Sequence, residues 1–111
     1  MSENKFIIII TTVNTDSAAK KIAQSLIEEK LAACVNIIPS VTSVFRWKGK
    51  VSAEPELILI AKSEEKLFNE IKDKILSLHP YELPEIITVP ITNGSKEYLK
   101  WIETNLKNVS A

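Results

Sequence analysis

The chain has 111 residues and a mass of 12.4 kDa, enough for one domain spanning 1–111 and too few for two. With 45% hydrophobic and 25% charged residues, two Gly and five Pro, it is neither disordered nor collagenous nor of low complexity. Fourteen basic residues balance fourteen acidic ones, so the broad positive field that holds nucleic acid or an anionic membrane is missing.

In chain order, Lys5 to Val13 is a β-branched run, apolar at consecutive positions, which predicts a central strand with both faces buried. Thr15 or Asp16 caps a helix whose apolar stripe is Ala19, Ile22, Ala23, Leu26 and Ile27. No Gly stops this helix; it is expected to end near Lys30, with a strand starting near Cys34. Pro39 interrupts that strand, which marks an edge or a bulge. From Val41 alternation returns, with Val41, Ser43, Phe45 and Trp47 on one side. Lys48-Gly49-Lys50 turns the chain, with Gly49 as the residue expected at positive φ.

Glu56 to Lys62 is the returning strand, with Glu56, Ile58, Ile60 and Lys62 facing away from Leu57, Leu59 and Ala61. Ser63 is expected to cap a second helix carrying Leu67, Ile71, Ile75 and Leu78, which His79-Pro80 ends. Glu85 to Ile91 is a fourth strand, Asn93-Gly94 turns, and Ser95 caps a terminal helix with Tyr98, Leu99, Trp101, Ile102 and Leu106.

The order β-α-β-β-α-β predicts an α+β, ferredoxin-like sandwich: a four-stranded antiparallel sheet, two helices on one face, and an added C-terminal helix. Its second and third strands read as roughly 12 and 10 residues, against a usual 5 or 6. So long a β2-β3 hairpin exposes edges and a sheet face, and self-association is the common way of covering them.

Few residues carry obvious chemistry. His79 is the one His. It either ends its helix against the last carbonyls or serves as a metal ligand or proton shuttle, with Glu82 and Glu85 close in sequence. Cys34 reads as a small buried hydrophobe rather than a catalytic thiolate, and one cysteine leaves no disulfide framework or CxxC pair. Lys62 and Glu56 are either paired charges on a covered sheet face or solvated ones. Trp47, Tyr81, Tyr98 and Trp101 suit core, pocket or subunit contacts.

Two isolated Gly exclude a phosphate-cradling loop, and one His without a glycine turn excludes a Ser-His-Asp set. The central strands read Ile-Ile-Ile-Ile and Leu-Ile-Leu-Ile, without the stacking aromatics of an RNA-binding sheet. The first loop, Thr11-Thr12-Val13-Asn14-Thr15-Asp16, lacks the CxxC of a copper chaperone. Phe6 to Ile10 is too short for a signal peptide or a membrane span, so a cytoplasmic protein without membrane partner is expected.

Five stretches resemble the CutA family, the divalent-cation tolerance proteins. They are Leu31-Ala32-Ala33-Cys34-Val35-Asn36, Ser43 to Gly49, Glu56 to Ser63, His79-Pro80-Tyr81-Glu82-Leu83-Pro84-Glu85-Ile86, and Tyr98-Leu99-Lys100-Trp101. The resemblance implies the ferredoxin-like fold and a homotrimer built like the PII signalling proteins, with long hairpins pairing between subunits. It implies an intersubunit ligand cleft lined by Trp47, Glu56, Lys62, His79, Tyr81 and Glu85, with Trp101 close by. It implies a part in metal tolerance or copper binding and no established catalytic activity, so no cofactor is obligatory. Cu(II) or another divalent cation is the expected metal, with His79 as its ligand. Some bacterial members carry Cys at the position of Thr11 and His at that of Leu78, which sets intrinsic tight copper binding against this sequence. Animal members carry an N-terminal extension for which Met1 to Lys5 leaves no room, again favouring the cytoplasm. The alternatives to a metal or small-ligand binder are an enzyme using His79, Lys62 and Glu85, and a structural or signalling partner protein.

Overall fold

The computed structural model describes residues 5–108; the expectation drawn from the start of the chain falls largely outside them. The elements follow as β1 (Phe6–Val13), α1 (Asp16–Glu28), β2 (Cys34–Trp47), β3 (Lys50–Glu64), a 3-10 turn (Glu65–Leu67), α2 (Phe68–Leu78), β4 (Ile87–Pro90) and α3 (Lys96–Thr104). The sheet order is β2-β3-β1-β4 and all neighbours are antiparallel. This is the expected α+β sandwich.

In β1 the burial alternates. Ile7, Ile9, Thr11 and Val13 are buried, whereas Phe6, Ile8, Ile10 and Thr12 are half-buried. The strand is central, as expected, but only one of its faces is closed. The core packs Ile7, Ile9 and Leu59 of the sheet against Ile22, Leu26 and Ile71 of α1 and α2, which leave the opposite face open except where Tyr98 of α3 stands over Lys62. That open face carries Ile8, Ile10, Ile58 and Ile60, with Ile38, Ile87 and Val89 more exposed still.

Thr15 is the N-cap of α1: its Oγ1 accepts from the Ala18 N–H at 3.1 Å. The helix stops without glycine because Lys30 itself takes the left-handed conformation, φ 57°. Leu31 N–H then donates to the Leu26 carbonyl at 2.9 Å and Lys30 N–H to Ile27 at 3.0 Å, the two bonds of a Schellman end.

The hairpin is longer than its alternation indicates, because β3 starts at Lys50 and runs through Pro55 rather than beginning at Glu56. Its turn places two residues at positive φ, Lys48 (51°) as well as Gly49 (80°), as a two-residue hairpin of matching twist requires. At the other end Ser63 is no cap. The strand continues to Glu64, and the buried Ser63 hydroxyl donates to the Leu31 carbonyl at 2.6 Å. Glu64 is buried beside Lys66 at 3.3 Å and Lys5 at 3.6 Å.

The fourth strand is shorter than expected and β4 is exposed throughout. Ser95 caps α3 by accepting from the Tyr98 N–H at 3.2 Å. Buried Ile102 joins this helix to the core, and Lys5 bonds Glu103.

Candidate functional site

Position in β2 is decided by a bulge. Cys34, Asn36 and Ile38 pair with Lys62, Ile60 and Ile58, but the next pair is Val41 with Glu56. Two residues, Pro39 and Ser40, thus oppose Leu57 alone, and Ser40 adopts φ 62°. The extra residue shifts the alternation by one, so even positions before the bulge and odd positions after it share the open face. Ser43, Phe45 and Trp47 therefore stand over the same side as Ser52, Glu54 and Glu56.

Together with the loop after α2 they form a cleft of about 870 Å³ lined by Phe45, Trp47, Glu54, Glu56, Tyr81 and Glu85. Glu82 and Leu83 complete its rim. Four carboxylates and three aromatic rings line it, and no Lys or Arg does.

The loop is held by a relay of neutral and charged groups. Pro80 forces His79 into extended backbone, ψ 135°, which ends α2 and turns the imidazole toward β1. His79 Nε2 lies 2.7 Å from the Thr12 carbonyl and Nδ1 lies 3.2 Å from the Tyr81 amide. A carbonyl accepts and an amide donates, so the proton sits on Nε2 and the ring is neutral. Burial lowers the His79 pKa, opposed by the Thr12 bond and by the charge of Glu56. The two rings meet edge to face at 4.7 Å. Tyr81 in turn donates its hydroxyl to Glu56 Oε2. Burial first, and then the carboxylate it serves, hold the phenol above its ordinary value.

Lys62 belongs to a second cluster. Its ammonium donates to Asn36 Oδ1 at 2.8 Å, lies 3.8 Å from Cys34 Sγ, and stands 5.8 Å from the centre of the Tyr98 ring. Tyr98 stacks on Trp101 at 5.5 Å. Six residues of strand separate Lys62 from Glu56, about 20 Å at 3.3 Å per residue.

The expected cleft residues are therefore divided within one chain. Trp47, Glu56, Tyr81 and Glu85 meet under the hairpin with His79 behind them, whereas Lys62 and Trp101 lie at the far end of β3. The trio of His79, Lys62 and Glu85 needed for acid-base chemistry is not assembled in a single chain. Both nitrogens of His79 are engaged, so a metal ion there has to displace the Thr12 or the Tyr81 bond. Among the described residues no three His, Cys, Asp or Glu side chains converge closely enough to hold a metal ion. Cys34 is only partly buried, more open than a core position implies. Sequence reading missed Phe45, Glu54 and Asn36. Phe45 and Glu54 share the alternation of Trp47 and Glu56, and Asn36 is two residues from Cys34 on the face that carries Lys62.

The family model described as CutA1 divalent ion tolerance protein matches residues 7–105. The chain belongs to the CutA1 family. It is 44% identical to the divalent-cation tolerance protein CutA of Thermus thermophilus, covering 88% of this chain and 95% of that one. It is 42% identical to the chloroplastic protein CutA of Arabidopsis thaliana over 92% of this chain, and 38% identical to the human protein CutA over 89%. It spans 56% and 55% of those two longer proteins. The solved CutA1 of Shewanella sp. SIB1 superposes with a TM-score of 0.93 at 34% identity, covering 96% of this chain and all of that one. These names point to cation tolerance and not to a reaction. The printed compartments vary, chloroplastic for Arabidopsis and periplasmic for an Archaeoglobus fulgidus relative. Among the described residues no helix is long and apolar enough to cross a membrane.

Proposed function

We propose that the chain acts as a PII-like homotrimer in divalent-cation tolerance, binding a cation or small ligand in clefts between subunits, without catalysing a reaction. The observation that carries this reading is the division of the site. Glu56 and Lys62 share one strand and one face, yet lie about 20 Å apart. Subunits related by closed symmetry bring the hairpin end of one chain against the Lys62 end of the next, which a single chain does not do. The apolar open face, with Ile8, Ile10, Ile58 and Ile60, supplies surface for that contact.

Light scattering of the intact chain tests it, with a mass three times 12.4 kDa expected. Ile60→Glu, placed in the middle of the open face, is expected to lower that mass. A wild-type mass of one chain overturns the trimer. Substrate-free thermal shifts with Cu(II) and other divalent ions test the cation, and turnover abolished by His79→Ala would return the enzyme reading.

A further inference from the structure

We infer that Glu56 of one copy takes Lys62 of the next copy as its counter-ion, so that the contact closing the assembly is an ion pair built from two ends of the same strand. This rests on the homotrimer proposed above and names the pair that completes its clefts. Along the open face of β3 the residues read Glu56, Ile58, Ile60, Lys62: an anion, two apolar groups and a cation. Each charge lacks a partner of opposite sign in its own chain. Glu56 is only 8% exposed, and its hydrogen bond from Tyr81 uses Oε2, so Oε1 has no donor among the described residues. Lys62 is half-buried and its neighbours are neutral: Asn36 Oδ1, Cys34 Sγ and the Tyr98 ring. Neither group forms a salt bridge among the described residues, although charges withdrawn from water are as a rule paired.

One chain cannot join the two, because six strand residues hold them about 20 Å apart. A second copy can, and the surroundings of each charge favour it. Glu54, Glu82 and Glu85 share the cleft with Glu56 and no Lys or Arg does, so the field there is negative and draws in a cation. Asn36 and Tyr98 already hold the Lys62 ammonium in place and partly out of water, so bringing it to a carboxylate costs little further ordering. Ile58 and Ile60, half-buried in one chain, lie between the two charges and are covered by the same contact.

Charge reversal in the intact chain, read by sedimentation velocity across a dilution series, tests this. Lys62→Glu and Glu56→Lys are each expected to weaken assembly about tenfold or more, and the double reversal to regain most of it. Glu56→Gln and Lys62→Gln serve where Glu56→Lys does not fold: together they are expected to cost clearly less than the sum of the two alone. A third arm places the contact directly. Glu56→Cys with Lys62→Cys in a Cys34→Ala chain cannot form a disulfide internally, since a bridge needs Cα atoms within about 7 Å. Oxidation is expected to link three chains. Single reversals that leave assembly unchanged overturn the pair, as do glutamine variants whose costs simply add, or oxidation that links no chains; a wild type of three chains then leaves the trimer standing. Rescue by the double reversal in an assembly of two chains keeps the pair and overturns the trimer. A wild-type mass of one chain overturns both.

Discussion

The Tyr81 hydroxyl donates to a carboxylate oxygen of Glu56, joining the loop that follows α2 to the middle of β3. The bond crosses from one half of the fold to the other, and His79 fixes its geometry from behind by accepting from the Tyr81 amide.

Tyr81→Phe is therefore expected to destabilise the protein by about 1–3 kcal/mol, because it leaves Glu56 buried without its donor. Tyr81→Phe with Glu56→Leu should recover part of that loss, since removing both polar groups costs less than orphaning one. Denaturant unfolding at fixed protein concentration measures both; equal stability of wild type and Tyr81→Phe refutes the account.

Stability should depend on pH through His79. Its folded pKa is lowered from 6.5, so the unfolded chain takes the proton first as pH falls. The His79 contribution is complete above 6.5 and is lost as pH drops through the lower folded value. Protonation also places a donor on Nδ1, facing the Tyr81 N–H that now donates to it. His79→Gln should flatten the stability profile between about pH 7.5 and 5; an unchanged slope assigns it to carboxylates instead.

Copper should not depend on His79 in the folded protein. Its nitrogens are engaged by the Thr12 carbonyl and the Tyr81 amide at 2.7 and 3.2 Å. Cu(II) titrations of wild type and His79→Gln are expected to give the same affinity. A tenfold loss in the variant would mean that copper displaces one of those bonds.

The Thr11 hydroxyl is buried and has no hydrogen-bond partner among the described residues. Thr11→Val keeps the shape of the side chain and removes the unsatisfied group, so a gain of about 1 kcal/mol is expected. A loss measured by denaturant unfolding would reveal a partner that the static geometry does not show.

The fold was legible because its hydrophobic periods are long and distinct. Ala19, Ile22 and Leu26 mark a helix, and the alternation of Leu57, Leu59 and Ala61 marks a strand. The boundaries were less so. Pro55 hides the first half of β3, since proline usually argues against a paired strand, but opposite Thr42 it lies in the two-stranded arm beyond β1. Ser63 followed by acidic residues imitates a helix cap, yet its hydroxyl serves Leu31, 32 residues away. Both errors arise from long-range pairing that local propensity does not encode. The family motifs named most of the cleft residues, but their division between two ends of β3 becomes visible only when the strand is laid out. The sequence at His79 shows a titratable ring next to Pro80; that both nitrogens are used depends on Thr12, 67 residues earlier.

The chemistry of the cleft wall turns out to be a matter of counting. Loss of Pro39 or Ser40 would leave a single residue opposite Leu57 and restore a regular ladder, with Val41 still across from Glu56 and Ser43 from Glu54. Phe45 and Trp47 would keep the face they share with Ser52 and Glu54. An extra residue in the outer arm finds no such slack: without a second bulge it turns Phe45 and Trp47 to the back and brings Val44 and Arg46 to the acidic face. The arm should thus accept a one-residue deletion at its base far better than an insertion along its length, a pattern that a length-variant library scored for fold and for ligand uptake would expose.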